Sequence, residues 1–133
     1  MKYLAKDTRP WGRYYVIEEN ENYKIKRIEV EPGQRISYQY HNKRSETWII
    51  IMGKCKITIE DLENKNEKGD VIQIPQGARH RVENIGKHKL VFVEIQTGEY
   101  FGEDDIIRIQ DDYKRNTFFN RIKGALLLIY SCA

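Results

Sequence analysis

The chain has 133 residues, with 23 Lys and Arg against 20 Asp and Glu for a formal charge of +3, the basic residues scattered among the acids. A chain of that length buries roughly two thirds of the surface its unfolded form exposes, which leaves room for one core and excludes a second domain. So small and dispersed a charge argues against a nucleic-acid partner and suits an anionic small molecule such as a sugar phosphate.

Two cysteines, Cys55 and Cys132, are too few for a disulfide framework and read as reduced thiols. The N-terminus lacks the apolar core of a secretory signal. No segment approaches the roughly 18 apolar residues of a membrane span, so a membrane is not expected and the cytoplasm is the expected compartment.

In chain order, period-two alternation begins at Tyr15-Val-Ile-Glu18 and returns at Tyr23-Lys-Ile-Lys-Arg-Ile-Glu-Val30 and Lys54-Cys-Lys-Ile-Thr-Ile-Glu60, which predicts short, half-buried strands. Turn signals separate them at Glu31-Pro-Gly33, Met52-Gly53, Asn64-Lys-Asn-Glu-Lys-Gly69 and Pro75-Gln-Gly77. The runs Trp48-Ile-Ile-Ile-Met52 and Leu90-Val-Phe-Val93 lack alternation and predict central strands covered on both faces. No long amphipathic helix is legible before residue 100. An all-β jelly-roll barrel accounts for the pattern, with residues 1–115 as the barrel domain. The acidic segment from Phe101 to Tyr113 is expected to cross outside the barrel. Residues 116–133 form a short C-terminal extension whose run Gly124-Ala-Leu-Leu-Leu-Ile-Tyr130 is expected to pack on the barrel or on a partner subunit, in a homodimer.

Gln39 and His41 stand two apart on a predicted strand, so their side chains share one face about 7 Å apart along the chain. Glu46 opens the next strand. His80 arrives from a separate segment in which Gly69 opens a strand, Pro75 ends its pairing, and Gly77 allows a turn closed to residues with a β-carbon. Gln39, His41, Glu46 and His80 thus offer nitrogen and oxygen ligands from three strands to one divalent metal ion. Zinc is the expected ion, with manganese, iron or nickel accepted by the same donors.

Gly69, Pro75, Gly77, His80 and Asn84 match in full the second motif of the cupin superfamily, which the chain resembles. The first motif of that superfamily usually carries two histidines at the positions of Gln39 and His41, the glutamate at Glu46 and a closing glycine at Gly53; a glutamine at the first position is a variation seen in phosphomannose isomerases. A closer likeness covers residues 8 to 115 through Arg9-Pro-Trp-Gly12, Tyr23-Lys-Ile-Lys-Arg27, Pro32-Gly33, Gln39-Tyr-His41, Arg44-Ser-Glu-Thr-Trp48 and Gly98-Glu-Tyr-Phe-Gly-Glu-Asp-Asp105. This resembles the isomerase domain that ends bifunctional mannose-1-phosphate guanylyltransferase and mannose-6-phosphate isomerase proteins. Those relatives usually have three consecutive histidines starting at His41 and another after the glutamate, where this chain has Asn42, Lys43 and Thr47.

The resemblance implies a cupin double-stranded β-helix that interconverts mannose 6-phosphate and fructose 6-phosphate through an enediol. Within it, Arg44 is implied for substrate oxygens or phosphate, Arg108 for gripping phosphate or steadying the enediol, and Glu99, with Asp104 and Asp105 beside it, as a candidate base. Lys43 is the favoured further phosphate contact. Two other classes stay open: a non-catalytic sugar or sugar-nucleotide binding cupin, and a metal-dependent dioxygenase.

Overall fold

The computed structural model describes residues 1–115. The predicted extension, residues 116–133, and the dimer contact expected of it lie outside the described residues. The chain runs β1 (Ala5–Arg9), β2 (Gly12–Glu19), β3 (Tyr23–Val30), β4 (Tyr38–Tyr40), β5 (Arg44–Met52), β6 (Lys54–Ile59), β7 (Leu62–Glu67), β8 (Val71–Ile74), β9 (His80–Asn84), β10 (Leu90–Gly98), a 3₁₀ turn over Glu103–Asp105, and β11 (Ile107–Gln110). The strands form two antiparallel sheets, ordered β1-β2-β3-β10-β5-β8 and β11-β4-β9-β6-β7, the expected all-β jelly roll. Among the described residues no helix is long and apolar enough to cross a membrane.

Register sorts the interior into a wet and a dry end. In the first sheet Lys24 lies opposite Gln96 and Gln96 opposite Glu46; two residues on, Lys26 lies opposite Glu94 and Glu94 opposite Trp48. Directly opposed residues share a face, so these six side chains point the same way. Two residues further the row becomes apolar, with Ile28 opposite Phe92 and Phe92 opposite Ile50. Val30, Leu90 and Ile72 continue it, and Cys55, Ile57 and Val82 meet it from the second sheet. One end of the barrel is therefore a conventional core, and charged groups line the other.

Backbone devices pin the wet end. The Gly77 N–H donates to the His41 carbonyl at 2.8 Å, tying the turn before β9 to the end of β4. Gly77 has φ +83, a conformation L side chains rarely adopt, as its place in the motif predicted. At Gly98 a β-carbon would stand 2.3 Å from the Lys43 carbonyl oxygen, so only glycine lets β10 approach the start of β5 this closely. Pro75 follows the last residue of β8, as predicted. Asn84 has a structural part: its side-chain amide donates to the Val30 and His88 carbonyls, both at 2.8 Å, and its oxygen accepts the Gly86 N–H.

Three expectations need correction. Trp48-Met52 does alternate: Trp48 and Ile50 are buried while Ile51 and Met52 are exposed, because only one face of β5 meets the core. In Leu90-Val-Phe-Val93, on a strand flanked by β3 and β5, Leu90 to Phe92 are buried on both faces as expected and Val93 is half-buried. Asn64–Gly69 is not all turn, since β7 runs to Glu67 and the turn before it is Glu60-Asp61, with φ of +48 and +68. A pair of positive φ values is what a two-residue hairpin requires. Exposed β7 carries no apolar alternation and is held by backbone pairing to β6. Finally, the acidic segment does not cross outside the barrel. Phe101, Ile106 and Arg108 are buried and β11 adds to the second sheet beside β4, because the apolar and basic residues between the acids face inward.

Candidate metal centre

His41, Glu46 and His80 place a ligand atom each within 4.8 Å of one another. All three are at most 2% exposed. His41 Nε2 is 3.2 Å and His80 Nε2 3.7 Å from the Glu46 carboxylate. Each imidazole is held at its other nitrogen, His41 Nδ1 by the Asp105 carbonyl at 3.1 Å and His80 Nδ1 by the Ala78 carbonyl at 2.8 Å. A carbonyl only accepts, so Nδ1 carries the proton in both rings and the Nε2 lone pairs face each other across Glu46. His80 Nε2 is buried with no hydrogen-bond partner. Such an orphaned acceptor pointing at a carboxylate is what a cation ligand looks like before its ion.

The protonation states suit the same purpose. Burial pushes the His80 imidazole down to about 4, against the pull of the Glu46 charge, so it is neutral near pH 7. Burial would raise Glu46, but the neighbouring His41 ring and Arg44 guanidinium outweigh it and hold the carboxyl well below the usual range. A neutral histidine and an ionised carboxylate are the forms that ligate. Trp48 Nε1 donates to Glu46 at 3.0 Å, and Arg44 Nε does so at 2.9 Å while its Nη2 lies 3.3 Å from His41 Nε2. The guanidinium thus neutralises Glu46 where a metal would.

Gln39 and Arg108 complete the second sheet's side of the interior. Gln39 is opposite His80 in one direction and opposite Arg108 in the other, so the three share the inner face. Gln39 Oε1 accepts from Ser37 Oγ at 2.9 Å. The other predicted residues separate. Lys43 is exposed, with its ammonium 5.1 Å from the Tyr100 ring centroid, and Glu99 is exposed on the turn after β10, outside the cluster. Asp104 bonds to the Tyr100 hydroxyl, and Asp105 accepts the backbone N–H groups of Asn42 and Lys43. On either side of His80 in the chain, Arg79 pairs with Glu60 and Asp61 on the surface, and Arg81 turns to the Ile36 carbonyl and Gln110, both away from His80.

Five interior residues escaped the sequence reading: Lys24, Lys26, Glu94, Gln96 and Glu103. Lys24, Lys26, Glu94 and Gln96 are at most 7% exposed, and the Glu103 side chain is 17% exposed. For the lysines a signal existed, since Lys24 and Lys26 share the parity of Ile28 and Val30. Lys26 pairs with Glu103 from the 3₁₀ turn, and Lys24 approaches the same oxygen at 3.9 Å. Glu94 accepts from Gln96 Nε2 at 2.6 Å and Trp48 Nε1 at 3.1 Å, yet burial and the nearby Glu46 charge raise its carboxyl to about 8. The space between these groups is a cavity of about 20 Å³, room for roughly one water molecule. A wider depression lies at the other end of the barrel, around Gly53, Lys54 and Ile85–His88, away from this chemistry.

Residues 1–111 match the family described as mannose-6-phosphate isomerase C-terminal. A mannose-1-phosphate guanylyltransferase of Salmonella montevideo is 46% identical over 108 residues, which are 81% of this chain and 23% of that protein. The chain spans about a quarter of the length of the curated relatives it matches. Among solved structures, a Klebsiella pneumoniae protein with a double-stranded β-helix domain aligns with TM-score 0.62 and 22% identity over 66% of this chain and 77% of that one. A putative sugar phosphate isomerase from Acidithiobacillus ferrooxidans aligns with TM-score 0.54 and 28% identity over 57% of this chain and 50% of that one.

Proposed function

The chain belongs to the mannose-6-phosphate isomerase C-terminal family, a cupin family, and from that premise we propose that it is a metal-dependent isomerase interconverting mannose 6-phosphate and fructose 6-phosphate. The observation that carries the reading is the buried His41, Glu46 and His80 set, with its lone pairs preset by backbone carbonyls and cationic side chains beside it. Gln39, from the same inner face, would be the fourth ligand. A divalent ion there, zinc by preference, would supply electrophilic stabilisation for the sugar oxygens on which charge develops.

The reaction moves a proton from C2 to C1, with the matching proton passing between O1 and O2. For the transfer at carbon, Glu94 is better placed than Glu99: it faces the interior, and its carboxyl, raised to about 8, would in its ionised form be a stronger base, taking the proton from C2 and returning it to C1. Arg44 and Arg108 line the same interior, where a guanidinium would steady the enediol oxygens. The departures at Asn42, Lys43 and Thr47 leave this arrangement intact. Asn42 and Lys43 are exposed, and Thr47 bonds outward to Gln73 at 2.8 Å.

The test is metal analysis of the purified chain with a coupled assay for fructose 6-phosphate, before and after chelation. Formation abolished by chelator and restored by zinc is the expected result. Ligand binding without entry of solvent deuterium at C2 would replace the isomerase by a non-catalytic sugar-binding cupin, and oxygen uptake by an iron-loaded sample would replace it by an oxygenase.

A further inference from the structure

Cationic side chains crowd the interior at the wet end. Lys24, Lys26 and Arg44 are each at least 93% buried there, beside Glu46, Glu94 and Glu103. Glu46 accepts from Arg44 and Trp48, which leaves Glu103 as the carboxylate that reaches both lysines, with exposed Glu19 4.0 Å from Lys24 besides. Its Oε1 takes Lys26 and Lys24, while its Oε2 is buried with no hydrogen-bond partner. Arg44 Nη1 is likewise buried and unpartnered. Two ammonium groups carry six donors between them. One interior carboxylate with a free oxygen, and an exposed one at the edge of contact, underuse that set, whereas a phosphate monoester brings two charges and three terminal oxygens.

Resting on the sugar-phosphate reading above, we propose that Lys24, Lys26 and Arg44 are the phosphate seat of this site, and that Glu103 occupies it in the absence of ligand as a displaceable carboxylate. The cavity of about 20 Å³ cannot take a phosphate group beside Glu103, so entry requires Glu103 to leave. Its location fits that motion. Glu103 sits on a single 3₁₀ turn between β10 and β11, reached through exposed Glu99 and Tyr100 and held on the far side by the Asp105 contacts to Asn42 and Lys43. Pivoting the turn would expose both lysines without unpairing any strand.

The probe is inorganic phosphate, titrated onto the full chain in the presence of chelator so that the metal centre plays no part. Trp11 lines the cavity and Trp48 bonds to Glu94, so intrinsic fluorescence reports occupancy. Saturable binding is expected, weakened about tenfold or more by Lys26→Gln and strengthened about tenfold by Glu103→Gln, the scale of one charge-assisted hydrogen bond. Mannose 6-phosphate should compete and mannose should not. If Lys26→Gln fails to fold by circular dichroism, Lys24→Gln, which removes a longer contact, and Glu103→Gln decide the matter. Equal phosphate affinity in wild type, Lys24→Gln and Glu103→Gln overturns the seat, even where chelator-sensitive isomerisation stands. The expected phosphate response with no competition by mannose 6-phosphate keeps the seat and removes the proposed substrate.

Discussion

Glu94 and His80 pull the pH dependence of stability in opposite directions. His80 has its folded value near 4 against 6.5 when free. Between those values the unfolded chain binds the extra proton, so stability rises with pH up to about 6.5. Glu94 is raised from 4.5 to about 8, and between those values the folded chain holds the extra proton, so stability falls as pH rises. Above pH 6.5 only the Glu94 effect remains, at most about 1.4 kcal/mol per pH unit for one proton. Urea unfolding in chelator at pH 6.5 and 8 should therefore show the wild type losing stability across that interval and Glu94→Gln losing much less. Parallel losses in the two proteins would place the proton elsewhere. Neither shift was legible in the sequence, because each depends on burial beside a residue far away in the chain. Glu94 itself sits in Leu90-Val-Phe-Val-Glu-Ile-Gln96, where the apolar neighbours drew attention to packing rather than to an inward carboxyl.

At the level of strands, period-two reading placed β2, β3 and β6, and the motif spacing brought His41, Glu46 and His80 together from three strands. It failed where backbone pairing, not apolar alternation, makes the strand. β7 is one case. β11 is the more instructive: Ile107-Arg-Ile-Gln110 follows a run of acids, and it pairs with β4 just after a turn that Asp105 ties to Asn42 and Lys43. The Asp105 carboxylate accepts from the Asn42 and Lys43 N–H groups at 3.2 and 2.9 Å, while its carbonyl holds His41 Nδ1. One residue thereby couples the 3₁₀ turn to a ligand of the metal centre. Asp105→Ala should cost about 1 kcal/mol, the net worth of an exposed hydrogen bond. It should also speed hydrogen exchange at the Asn42 and Lys43 amides by more than at β10. Unchanged exchange at those two amides would show that the turn is held by Phe101 and Ile106 packing alone.

Across the molecule, one end of the barrel supplies stability and the other spends it on concentrated charge. The apolar rows from Ile28, Phe92 and Ile50 onward form a dry core, whereas the wet end buries histidines, carboxylates and cations whose desolvation is repaid only in part by their mutual pairing. Arg44 currently neutralises Glu46 and reaches His41 Nε2, but no donor reaches the lone pair of His80, which stays orphaned. A divalent ion satisfies both nitrogens and the carboxylate at once, so its binding should appear as folding stability. Zinc at about one hundred times its dissociation constant adds about 2.7 kcal/mol. For a domain of this size that raises the melting temperature by about 10 °C. Chelator should reverse the shift, and His80→Ala should abolish it while leaving a folded barrel, because the dry core does not include that residue. A zinc-induced rise of equal size in His80→Ala would mean that the ion stabilises the fold from some other place, and the buried triad would lose its claim to it.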